Sequence, residues 1–198
     1  MRWQSSIFAI ALVLAAALTA AAQTSTLDFY NSGVHKYRQG DLDGAIADFS
    51  KAIEIDPGYW KAYNNRGLVK RKKGDLDGAL KDYGRSIELN PNNAAAYSNR
   101  GVARRDKGDL DGALADYARA LQLDPNDSYT YNNRGSVRAD KQDIQGAIAD
   151  FSRAIELQPD FAEAYFNRSV CKRRQGDENG ARADRAKAIQ LDPQFGKN

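Results

Sequence analysis

Between Leu76 and Leu89, apolar or small side chains fall at three- and four-residue steps: Leu76, Ala79, Leu80, Tyr83, Ile87 and Leu89. That spacing predicts an amphipathic helix of about 14 residues. Just before it, Gly74 can adopt the left-handed conformation that closes a preceding helix, and Asp75 can cap the amides of the helix that follows. Pro91 ends the second helix, because proline has no amide hydrogen to continue the ladder. The whole pattern recurs, since the five prolines Pro57, Pro91, Pro125, Pro159 and Pro193 are spaced 34 residues apart. Five helix-turn-helix units are therefore predicted, at approximately residues 26–59, 60–93, 94–127, 128–161 and 162–195.

Aligned on the prolines, the first helices carry an aromatic column, Phe29, Tyr63, Tyr97, Tyr131 and Tyr165, and a small column, Gly33, Gly67, Gly101, Gly135 and Ser169. In the second helices Ala45, Ala79, Ala113, Ala147 and Ala181 are followed four residues later by Phe49, Tyr83, Tyr117, Phe151 and, out of pattern, Arg185. This resembles the tetratricopeptide repeat, whose aromatic, glycine, alanine, aromatic and proline positions recur every 34 residues. The resemblance covers Thr26 to Phe195 and implies an all-α fold, a right-handed α-solenoid of five repeats. It also implies a non-catalytic protein-interaction module that holds a peptide or partner helix in a concave groove lined by the first helices. By the family's geometry the groove columns are Tyr30, Asn64, Ser98, Asn132 and Phe166; Val34, Leu68, Val102, Ser136 and Val170; and Tyr37, Arg71, Arg105, Ala139 and Arg173. Asparagine amides can bond a peptide backbone and arginines can take carboxylates, so the groove suits a peptide of apolar and acidic character. The family's clamp for chaperone C-termini uses a lysine and an asparagine where this chain has Tyr30 and Val34, so a co-chaperone role is disfavoured.

Two charged columns depart from the family pattern. Arg66, Arg100, Arg134 and Arg168 stand where leucine is expected, with Ser32 in the first repeat, and Asp48, Asp82, Asp116, Asp150 and Asp184 lie on the second helices. We expect buried Arg to Asp pairs, one per joint of the stack, which fix register more than they add stability. Arg66 has two candidate partners, Asp48 of the preceding unit and Asp82 of its own, and a pair of solvated charge columns is the competing reading. Glycines at positions 44, 78, 112, 146 and 180 replace the family's acidic residue near the start of the second helix, which predicts looser turns. In the fifth repeat Glu178, Arg182 and Arg185 replace the apolar face formed in the second by Leu76, Leu80 and Tyr83. That polar face is the expected form of a terminal repeat, with no further repeat after it.

Ahead of the repeats lie Met1-Arg2-Trp3, an apolar run from Ile7 to Leu18, and Ala20-Ala21-Ala22. This is the pattern of a secretory signal peptide over residues 1–22, with a mature domain at 23–198 exported to a bacterial periplasm or secreted. An uncleaved membrane anchor is the competing reading. The single cysteine, Cys171, falls in a column with His35, Val69, Ala103 and Val137 and reads as a packed side chain. His35 and Cys171 belong to the first and fifth repeats, too far apart for a thiol-imidazole couple. Neither metal-ligand spacing nor a phosphate loop is present, so no enzyme, cofactor or metal is expected. Basic clusters at Arg71-Lys72-Lys73, Arg104-Arg105 and Lys172-Arg173-Arg174 offer an alternative function, a ridge that binds nucleic acid or an anionic surface. A formal net charge of only +3 weighs against it, and nucleic acid is not the expected partner.

Overall fold

Residues 25–197 are described by a computed structural model; the signal-peptide expectation lies outside them. The described residues are all-α, and they group into two compact units, one up to Pro91 and one from Asn92. The first unit holds α1 (25–38), α2 (Leu42–Ile55), α3 (Trp60–Lys72) and α4 (Leu76–Leu89). In the second are α5 (Ala94–Asp106), α6 (Leu110–Leu123), α7 (Ser128–Asp140), α8 (Ile144–Leu157), α9 (Ala162–Gln175) and α10 (Glu178–Leu191), followed by a 3-10 turn, Pro193–Gly196. Odd and even helices pair as hairpins at the positions the 34-residue period predicts.

Each of the first four hairpins closes on one ring. The small column lets the first helix lie directly on the aromatic side chain of the second: a β-carbon at Gly67 would stand 2.9 Å from the Tyr83 ring, and one at Gly101 only 2.7 Å from Tyr117. Phe49, Tyr83, Tyr117 and Phe151 are consequently sealed from solvent, beside alanines that are fully buried. In the fifth repeat both partners change together. Arg185 replaces the ring, and Ser169 tolerates a side chain whose hydroxyl donates to the Phe166 carbonyl at 2.7 Å.

Glycines 40, 74, 108 and 176 take the left-handed conformation that ends the first helices, with φ from 83 to 90°, while Gln142 adopts it at 66° in the fourth hairpin. The expectation of looser turns is not met. Asp41, Asp75, Asp109, Asp143 and Asp177 each accept a hydrogen bond from the glycine amide three residues on, at 2.8 to 2.9 Å. A β-carbon at Gly78 would lie 2.1 Å from the second oxygen of Asp75. Glycine therefore makes room for the capping carboxylate, and the cap tightens the helix start.

The charged columns form pairs inside each hairpin, not across the joints. Arg66, Arg100, Arg134 and Arg168 each donate two bonds, from Nε and Nη2, to the aspartate 16 residues on, at 2.7 to 2.9 Å. A second cation reaches the same carboxylate from the same first helix: Lys70 to Asp82, Arg104 to Asp116, Arg138 to Asp150 and Lys172 to Asp184, at 2.8 to 2.9 Å. The first hairpin lacks the arginine, and Asp48 instead holds Ser32 at 2.6 Å and Lys36 at 2.7 Å. Each guanidinium also lies 5.4 to 5.6 Å from the aromatic ring of its own helix. The remaining Nη1 of Arg66 and of Arg168 reaches across a joint, donating to the hydroxyls of Ser50 and Ser152.

Candidate functional site

The first helices expose two apolar sockets at equivalent joints, one in each unit. In the first unit a cavity of about 230 Å³ lies between α1 and α3 above the Phe49 ring, lined by Val34, Tyr37, Leu68 and Val69, with Asn65 and Arg38 at its edge. The second unit repeats it between α7 and α9 above Phe151, about 250 Å³, with Ser136, Ala139, Val170 and Cys171 in the corresponding places and Asn167 at the edge. Arg105, Asp140 and Arg174 give this second socket a charged border. Burial pushes the Cys171 thiol up from its ordinary pKa, which keeps it a neutral wall.

The groove residues predicted from sequence meet different fates. Leu68 lines the first socket and Arg105 borders the second. Arg105 is also bound to Asp140, at 3.0 and 3.2 Å, so its charge is shared before any ligand arrives. Tyr30 packs edge-on against Tyr59 at 5.3 Å, and its hydroxyl accepts a bond from Asn65 at 2.9 Å. Asn64 donates to the Asn65 side chain at 3.3 Å, and Arg71 is half-buried in the last turn of α3. The Ser98 hydroxyl is 2.6 Å from that of buried Thr130. Phe166 edges the second socket, but Phe195 of the final turn stacks on it at 4.9 Å and Arg185 covers it at 5.5 Å.

Asn132 needs correction. It is 2% exposed, donates to Glu163 at 3.2 Å and accepts from Asn167 at 3.1 Å, so it orients a neighbouring amide and cannot itself face a ligand. The amides at the socket edges belong to the next column, Asn31, Asn65, Asn99, Asn133 and Asn167, which is invariant through all five repeats. That invariance is the sequence signal that distinguishes this column from the one before it.

The basic clusters are largely engaged. Arg104 and Lys172 turn to the buried aspartates, Lys73 pairs with Asp43, and Lys72 lies 5.1 Å over the Tyr37 ring. Burial alone would raise the carboxyls of Asp48 and Asp184. Their cation partners, with Ser32 at Asp48, outweigh it and hold both below the ordinary aspartate value. Burial of Arg66 opposes its charge, and Asp82 more than offsets this, keeping the guanidinium pKa above its usual value.

Comparison with known proteins agrees with this architecture. Profiles of the tetratricopeptide repeat match residues 64–128 and 162–195, and a TPR repeat profile matches 35–72 and 135–170. The chain belongs to the tetratricopeptide-repeat family. Among solved structures it is similar to the MamA protein, with a TM-score of 0.73 and 23% identity over 87% of this chain and 94% of that one. PilF of Pseudomonas aeruginosa superposes with a TM-score of 0.81 at 18% identity, over 86% of this chain and 78% of that one. YrrB, described as a TPR protein with an unusual peptide-binding site, gives 0.68 at 22% identity, over 88% and 92%. At these identities the likeness is one of fold. No curated protein sequence matches the chain.

Proposed function

We propose that the protein is a non-catalytic interaction module, exported by its N-terminal segment, that binds an extended peptide or partner helix on the inner face of its first helices. The two Phe-floored sockets carry this reading. Each offers apolar walls for one side chain and a fixed asparagine amide at the edge, where a peptide backbone would pass. Family membership supports a protein or peptide as the ligand, and the peptide-binding site described for YrrB is a precedent on the same fold. Border charges differ between the sockets. The first carries Arg38, the second two arginines and Asp140, which favours a ligand with apolar side chains and an acidic flank. A basic ridge is the weaker reading, because four of its eight cations are held by carboxylates and a fifth, Lys72, lies over the Tyr37 ring.

The test is selection of peptides from a random displayed library on the full chain, followed by fluorescence anisotropy with purified peptides. Leu68→Lys and Val170→Lys each put a charge into one socket without touching the helix contacts beneath. Selected peptides should lose at least about tenfold in affinity to one or both variants, the effect of losing one apolar anchor. Peptides that bind both variants as they bind the wild type would remove the sockets from the binding surface.

A further inference from the structure

The five repeats serve as an internal comparison, and the second departs from the other four twice in one place. On the second helix, Ala47, Ala115, Ala149 and Ala183 share a column with Lys81. Three residues later Ser50, Ala118, Ser152 and Ala186 share one with Gly84. A glycine inside a helix is unfavourable by up to about 1 kcal/mol relative to alanine, and a β-carbon here would meet no neighbour, so packing does not require it. Both residues face the same cavity, about 600 Å³, between the outer edges of α3 and α4. None of the socket residues lines it.

Four cations line this cavity, Arg66, Lys70, Lys81 and Arg85, against two carboxylates, Asp82 and Glu88. Asp82 is held by Arg66 and Lys70 together, at 2.8 Å each, and leaves one positive charge over. Glu88 neutralises Arg85 at 2.9 Å. Lys81 is exposed and makes no ion pair among the described residues, so a second charge is unspent. Two uncompensated cations border a space that Gly84 keeps clear.

We propose that this cavity is a site for a phosphoryl-bearing small molecule, with Lys81 and Lys70 contacting the phosphoryl oxygens and Arg66 and Arg85 supplying the surrounding field. A phosphate monoester carries about two negative charges near neutral pH, matching the two unspent cations, and a terminal diphosphate carries about one more, whereas a carboxylate matches only one. The volume exceeds that of a single phosphate, so a diphosphate or an organic phosphate fits better than the bare ion. The site is independent of the peptide-binding reading.

Calorimetric titration of the full chain with inorganic phosphate, pyrophosphate and acetate tests it, together with Lys81→Ala and Gly84→Ser. Both substitutions install a residue that other repeats carry at the same position, so both variants should melt at or above the wild-type temperature, Gly84→Ser by the removal of a helix-interior glycine. Saturable one-to-one binding of pyrophosphate, tighter than that of phosphate and acetate, and weakened about tenfold or more in each variant is expected from the loss of one close charge or of the space. Non-saturable binding, acetate binding as tightly as pyrophosphate, or Lys81→Ala titrating like the wild type overturns the proposal. Peptides selected through the sockets should bind Lys81→Ala unchanged, so failure here leaves the other reading standing, and the reverse.

Discussion

At Gly101 the position of the missing β-carbon lies 2.7 Å from the Tyr117 ring, which is itself sealed by the helices around it. Gly101→Ala must push that ring or spread the hairpin. It should cost about 1 to 3 kcal/mol as overpacking, seen as a lower urea midpoint with the slope unchanged. The contact was foreshadowed by the coupled columns, including the fifth repeat, where loss of the ring at Arg185 goes with Ser169. Which asparagine faces the sockets was harder to read. Asn64 and Asn65 are neighbours of the same type, and adjacent helix positions differ by about 100° in direction, a rotation that only the packed hairpin fixes.

Within each hairpin the charge cluster behaves as one unit. Asp150 is almost wholly buried, with 4% of its side chain exposed, while Arg134 and Arg138 retain 18% and 30%. Removing one arginine leaves the other on the carboxylate, so Arg134→Met should cost only about 1 to 2 kcal/mol. The Arg134→Met/Arg138→Met double variant strands the buried charge and should cost roughly 3 to 5 kcal/mol, more than its two singles combined. Equal sums in urea unfolding would show that the two cations act independently. From sequence the columns were plain but the partner was not. Arg66 has an aspartate sixteen residues ahead and another eighteen behind, and near-equal separations along the chain give no preference until the helices are packed.

On the scale of the molecule, the proline period and the heptad-like apolar spacing were enough to give the all-α repeat fold, because every hairpin repeats the same local rules. The sockets were only partly legible. Their floors, Phe49 and Phe151, are core positions by pattern, and the space above them depends on how neighbouring first helices splay. Acid stability follows from the carboxylates. Asp48 and Asp184 have folded pKa values below their unfolded ones, so their contribution is full above about pH 4 and is lost as pH falls through the folded values. Thermal melts of the wild type should therefore drop steeply below about pH 4. Asp184→Asn should start from a lower melting temperature at neutral pH and show a shallower acid limb, and an unchanged limb would remove that carboxylate from the linkage.

Because Arg66, Arg100, Arg134 and Arg168 each find their aspartate inside their own hairpin, and each second helix brings its own capping Asp and yielding glycine, a 34-residue module carries its buried charge cluster with it. A gene that gains or loses one such module by unequal crossing-over leaves no buried charge orphaned at the seam, and the pairs it parts there are exposed ones such as Arg105 to Asp140. Length can then drift during evolution while every surviving hairpin stays intact, and a single copy is free to diverge, as the second has done at Lys81 and Gly84.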